Sequence, residues 1–227
     1  MNKPSAAPIH PRRLLAEMLL LFGVLPVAVL LSGTRAYLPI LWVFALAILR
    51  VLWRDPSFSR GELWNARAIE HHWRSIALRF LFIAPLILGA TYLLTPELMF
   101  GFPRERPGLF LMILFGYPIV SVYPQGIIYR AFLTHRYQSL FGHAAMRIGI
   151  AALCFGFLHI IFRNPVAPVV TILGGVLFTW THERSRSLFV SSVEHALYGL
   201  WLMASGWGAF LYPGAVDRAM QSLTGSG

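Results

Sequence analysis

Within Tyr123-Pro124-Gln125-Gly126-Ile127-Ile128-Tyr129-Arg130-Ala131-Phe132, a glutamine and an arginine interrupt an apolar run. Two later apolar runs carry histidines: Phe155-Gly156-Phe157-Leu158-His159 and Val193-Glu194-His195-Ala196-Leu197-Tyr198-Gly199. Hydrocarbon gives such groups no water to bond, so ionisable residues at membrane depth mark a site that faces a protein interior or a water-filled cavity. Residues four apart share a helical face, which pairs Gly126 with Arg130, Phe155 with His159 and His195 with Gly199. Three helices could turn these faces onto one cavity. Arg130 keeps its proton at any physiological pH and needs a carboxylate, carbonyls or water. Neither Gln125 nor Gly126 supplies a charge to match it. The expected carboxylate is Glu194, although it lies about 100° around the helix from His195.

Other chemistries fit less well. A zinc site wants three or four ligands from His, Cys or carboxylate. Only His159 and His195, with Glu194 poorly placed, are on offer here, and no His-Glu-x-x-His occurs; no metal or other cofactor is expected. Ser191-Ser192 suggests hydroxyls bonding between helices, and no serine has a base of its own as a nucleophile would. Cys154 is the single cysteine, which excludes an intramolecular disulfide. Taken singly, a buried histidine or Tyr123, Phe132 or Phe155 is ordinary core. Two histidines on separate helices, with Gln and Arg on a third, are harder to assign to packing alone.

The elements that must carry these residues are apolar throughout. The chain has 227 residues, 57% of them hydrophobic and 12% charged. A soluble domain would hold about twice that charged share, so an all-α polytopic membrane protein is expected, one domain over residues 1–227. Lys3, Arg12 and Arg13 precede a first apolar run, Leu14–Leu31, read as an uncleaved helix because no small-residue cleavage site follows. Tyr37–Trp53, Ser75–Leu94, a run from Leu109 into the central stretch, Ala144–Phe162, Pro168–Thr181 and Leu188–Ser205 give seven spans. An eighth arises if Pro118 or Pro124 breaks the fourth run in two. Asp55–Arg74 reads as a solvated loop or a surface helix, Thr95–Gly108 as a turn-rich connection, and Gly206–Gly227 as irregular. Arg79 is expected to snorkel from one end of its span, and Gly174-Gly175 to allow close helix approach.

The formal net charge is +10. The arginines sit singly at segment ends and form no basic face, so nucleic acid is not an expected partner; membrane lipids are. With seven spans, the basic excess falls on the side of the N-terminus, which the positive-inside bias places in the cytoplasm. The expected location is a bacterial inner membrane. Nothing in the sequence sets an oligomeric state, and no inverted repeat suggests a transporter.

At its polar residues the sequence resembles the CPBP intramembrane proteases, a family that includes CAAX prenyl endopeptidases and bacteriocin-immunity proteins. The family pattern is Glu-Glu-x-x-x-Arg, then Phe-x-x-x-His, then His-x-x-x-Asn or Asp, on separate transmembrane helices. Here the order and spacing read Gln125-Gly126-x-x-x-Arg130, Phe155-x-x-x-His159 and His195-x-x-x-Gly199. The resemblance covers residues 109–204 and implies a helical cavity that hydrolyses a peptide or membrane-protein substrate near the membrane surface. Carried over by position, His159 helps orient the attacking water, His195 donates to the oxyanion, and Arg130 holds the first motif through a carboxylate. Tyr129, Phe155, Glu194 and Gly199 would support them.

The departures bear on that activity. Gln125 and Gly126 stand where the family has glutamates, and Gly199 where it has Asn. Glutamine can position water but cannot take its proton, and glycine can do neither. Loss of a general base costs about 10²–10⁴-fold in rate. The expectation is therefore an impaired peptidase, unless Glu194 substitutes as base. The alternative is an inactive relative that uses the cavity to bind a peptide, lipid or protein partner.

Overall fold

The computed structural model describes residues 10–211, all of whose regular elements are helical. The expectations for the basic start and the glycine-rich end that fall on residues 1–9 and 212–227 lie outside the described residues. The long helices are α1 Pro11–Ser32, α2 Tyr37–Arg54, α3 Ala66–Leu94, α4 Pro107–Arg136 and α5 Ala144–Phe162. All five are long and apolar enough to cross a membrane. They are followed by α6 Val166–Ser185 and α7 Leu188–Ser205, and by a last turn, α8 Gly208–Leu211.

Five apolar spans is fewer than the seven or eight expected. Helices α6 and α7 are long enough, but His182, Glu183 and Arg184 in one, and Glu194 and His195 in the other, lower their apolar character. The eighth segment does not form, because α4 runs unbroken through Pro118 and Pro124. It does so by widening into π-helical turns at Pro118–Val122 and Ile127–Phe132. Wide turns of this kind accommodate local insertions in the helical ladder and recur at functional sites.

The stretch after α2 differs from the expected solvated loop. Phe58 and Leu63 are buried in the core, and Trp64 packs edge-on against Phe189 and Tyr123. The Tyr123 hydroxyl donates to the Leu63 carbonyl at 2.8 Å. The second half of the stretch is the start of α3 itself. Large apolar side chains such as Val43, Leu78, Leu81, Phe82, Leu93 and Leu173 face outward, as a bundle surrounded by lipid tails requires.

Ion pairs staple the end of the bundle where α1, α5 and α7 begin. Arg136 of α4 forks onto Glu17 of α1 at 2.8 and 3.0 Å, and Arg147 of α5 onto Glu183 of α6 at 2.9 and 3.0 Å. Arg186 pairs with Glu62, and His135 with Asp55. Outside the spans, burial pushes the Glu62 carboxyl up, against the pull of Arg186. The Ser57 hydroxyl, 2.6 Å from Asp55, holds that carboxyl down at about 2, helped by the Ser57 N–H and His135. The α5–α6 seam is close. A Cβ on Gly175 would lie 2.8 Å from the Ala152 Cα, so glycine is what lets the two backbones approach.

Candidate functional site

Helix α4 delivers Gln125, Gly126 and Arg130 from its widened turns. Arg130 is 1% exposed. Its Nη2 donates to His195 Nδ1 at 2.7 Å, and its guanidinium lies 5.2 Å from the Phe178 ring centre and 5.8 Å from that of Phe155. Among the described residues no carboxylate pairs with it, and Nη1 has no hydrogen-bond partner. The charge is therefore held by one imidazole and two aromatic faces.

That contact fixes the state of His195. A guanidinium can only donate, so Nδ1 must present its lone pair, and the one ring proton sits on Nε2. Nε2 lies 3.4 Å from the Tyr117 hydroxyl. Phe178 stacks on the imidazole with ring centres 4.5 Å apart and planes 21° apart. The Tyr117 phenol occupies the space beside Gly199, where a Cβ would overlap it. Glycine at 199 is thus what admits Tyr117 to His195.

His159 is set the opposite way. Its Nδ1 lies 2.7 Å from the Phe155 carbonyl, one turn earlier on α5. A carbonyl can only accept, so the ring proton is on Nδ1 and Nε2 keeps its lone pair, bonded to no group among the described residues. Phe155 joins the pieces. Its ring meets His159 at 4.8 Å, His195 at 5.5 Å and Tyr129 at 5.5 Å, all edge-on.

The expected residues therefore divide. Gly126, Arg130, Tyr129, Phe155, His159 and His195 lie in one contiguous cluster, which Gly199 reaches through Tyr117. Gln125 donates to Ser121 Oγ at 2.8 Å, has a buried Oε1 without a partner, and bonds to neither histidine. Glu194 is elsewhere. Its Oε1 accepts from Arg79 Nη2 at 2.7 Å and Nε at 2.9 Å, and Arg79 also donates to Thr181 at 3.1 Å. This corrects two expectations: Glu194 does not serve Arg130, and Arg79 turns inward to an acid. The cause is the turn of about 100° between successive residues, which sends Glu194 to α3 while His195 faces α4.

The sequence reading did not place Tyr117, Phe178 or Leu188 in this cluster. Leu188 Cδ1 lies 2.7 Å from where a Gly126 Cβ would stand; Arg130 Nη1 lies 3.1 Å and Ser192 Oγ 3.4 Å from the same point. The available signal was a glycine in place of a side chain, which invites a neighbour to fill the space.

Compared with models of protein families, residues 107–201 match the one described as type II CAAX prenyl endopeptidase Rce1-like. The match begins with α4 and ends inside α7, so it spans every residue of the cluster. Comparison with curated proteins and with solved structures found no match.

Proposed function

Because residues 107–201 match the family model described as type II CAAX prenyl endopeptidase Rce1-like, we propose that this chain hydrolyses a peptide bond presented at the membrane, at a rate held down by the missing carboxylate. The observation that carries the reading is the pair of opposed imidazoles. His159 offers a lone pair at Nε2, and His195 offers a proton at Nε2. Hydrolysis needs one group to take a proton from water and another to donate to the oxyanion that forms. In this reading His159 Nε2 accepts from the attacking water. His195 Nε2–H and the Tyr117 hydroxyl donate to the tetrahedral oxyanion, and the water's proton passes to the leaving amine. Arg130 acts through His195 by holding its tautomer, as outer partners of a working imidazole do. Gln125, with its free Oε1, orients water without taking its proton.

The substrate is a peptide or a membrane protein, reached from the lipid. The arginine-rich end of the bundle, with Arg54, Arg136, Arg147, Arg184 and Arg186, is assigned to the cytoplasm together with the N-terminus of α1, in a bacterial inner membrane. One observation favours a second reading, a binding protein that has lost turnover. Glu194, the carboxylate that could have served as base, is committed to Arg79.

The test is product analysis by mass spectrometry on membranes holding the chain or its Gly126→Glu variant. Leu188 stands against any side chain at 126, so Gly126→Glu is made together with Leu188→Ala. The expected outcome is a rise in cleavage of about 10²–10⁴-fold, lost again when His159→Ala is added. No product from any variant, with a peptide still bound, would replace the hydrolase with the binding protein.

A further inference from the structure

Helix α4 grips His195 twice. Arg130 holds Nδ1 at 2.7 Å, and the Tyr117 hydroxyl lies 3.4 Å from Nε2. The two residues stand on opposite sides of the weakest stretch of the helix, so the distance between the grips is only as fixed as that stretch. There the ladder has slipped by one residue, with the Tyr123 N–H bonded to the Pro118 carbonyl five residues back. The next N–H would belong to residue 124, which is proline and has none. The Val120 carbonyl, the acceptor an α-helix assigns to that N–H, therefore loses its donor. Val120 is 39% exposed in a bundle whose outer surface meets lipid, where no water can replace the missing bond. A proline with an unpaired carbonyl one turn earlier is an ordinary cause of a sharp kink. Trp42, half-buried on α2, supplies the donor instead: its Nε1 lies 2.9 Å from the Val120 oxygen.

We infer that Trp42 is a positioning residue for the cluster. Its indole N–H stands in for the one Pro124 lacks, and by closing the break in α4 it sets the spacing at which Tyr117 and Arg130 both reach His195. Every residue from Ile127 to Phe132 is buried, whereas none from Pro107 to Tyr117 is. The limb that carries Tyr117 is therefore the one that moves when the break opens. A kink of about 20°, on a lever of about 8 Å from the Val120 backbone to the phenol hydroxyl, shifts that hydroxyl by about 3 Å. That is enough to take it out of reach of His195 Nε2 while Arg130 stays in place. The effect on turnover rests on the proposed hydrolysis; the effect on His195 does not.

A double-mutant cycle on the purified full chain in detergent tests it. Trp42→Phe keeps an aromatic ring and removes the donor, and Pro124→Ala gives residue 124 an N–H of its own. In ¹⁵N spectra of the histidine-labelled chain, Trp42→Phe should shift the His195 Nε2 signal, which reports on Tyr117, and leave Nδ1 unmoved. The thermal unfolding midpoint should fall by a few degrees. In the Gly126→Glu/Leu188→Ala background kcat should fall about tenfold with KM unchanged, and no further once Tyr117→Phe is present. Adding Pro124→Ala should return all three readouts most of the way. If Trp42→Phe does not fold, the double variant should. A loss of stability with both His195 signals unmoved would reduce Trp42 to packing. An effect of Trp42→Phe as large with Pro124→Ala as without it would show that the Val120 carbonyl is not what Trp42 serves. Either result overturns the inference. Absence of product from every variant would fail the hydrolysis alone, because the spectra and the unfolding need no turnover.

Discussion

Arg79 and Arg130 both carry a permanent charge into apolar helices, but they are accommodated by opposite means. Arg79 of α3 forks onto a fully buried carboxylate, Glu194, adds a bond to Thr181, and lies over the Trp180 ring at 4.7 Å. Its charge is neutralised, and the pair ties α3 to α7. Arg130 of α4 is neutralised by no carboxylate among the described residues and uses its charge to orient His195 instead. The contrast separates two uses of one residue type. A paired arginine stabilises a helix contact, whereas an unpaired one polarises whatever lies next to it, at a cost the rest of the fold must carry.

Removing the acid or the base should expose the difference most clearly. Glu194→Gln leaves Arg79 without its counter-charge, and breaking a buried pair from one side costs about 3–5 kcal/mol. Arg79 keeps 20% of its side chain exposed and can turn partly to water, so the lower end is expected. Adding Arg79→Met should recover most of the loss. Arg130→Met should change stability by less than about 1 kcal/mol, because losing one hydrogen bond and two aromatic contacts is offset by relief of a desolvated charge. Reversible unfolding in detergent measures both. A loss at Arg130→Met as large as at Glu194→Gln would mean that Arg130 is structurally paired after all.

The hydroxyl at the far end of each arginine's network sharpens the comparison. Thr181→Val removes the bond from Arg79 and should cost about 1 kcal/mol of stability with no effect on cleavage. Tyr117→Phe should cost no more in stability, yet lower turnover in the Gly126→Glu/Leu188→Ala background about 10²-fold, the usual price of one oxyanion donor. Gly199→Asn combined with Tyr117→Ala should restore part of it, because a side chain at 199 would otherwise meet the ring atoms Cε1 and Cζ of residue 117 at 2.7 and 2.8 Å. Equal stability losses with unchanged turnover would reduce Tyr117 to packing.

This contrast could be read from the sequence only in part. Apolar runs with polar residues inside them gave the helical bundle, and the bounds of α7 agree to the residue with the run Leu188–Ser205. Helical spacing placed Gly126 beside Arg130 and Phe155 beside His159, because neighbours along one helix depend on local geometry alone. Partners across helices were not legible. Glu194 could have faced Arg79 or Arg130, and only the rotation of α7 against α3 decides between them. Tyr117 escaped for the same reason: its link to His195 exists because residue 199 has no side chain to block it. The continuity of α4 was also hidden, since two prolines in an apolar run argue for a break, and only the widened turns show how the helix avoids one.

A third pair, at the polar end, sets the lower limit of what a charge contact is worth here. Asp55 accepts from His135 at 3.1 Å, with side chains 30% and 15% exposed, and from both the hydroxyl and the N–H of Ser57. Those hydrogen bonds, Ser57 first, hold its carboxyl at about 2, below the ordinary 3.8. A carboxyl that is more acidic in the folded state favours folding in its charged form. Its contribution is complete above about pH 4 and disappears as pH falls through about 2. Water screens most of the effect, so Asp55→Asn should cost only about 0.5–1 kcal/mol at pH 7. The gap between variant and parent should close on acidification from pH 4 to pH 2. Unfolding curves taken at both pH values decide this. A gap at Asp55 that persists at pH 2 would assign its worth to the turn it caps with Ser57 and leave Arg79–Glu194 as the charge pair on which the bundle depends.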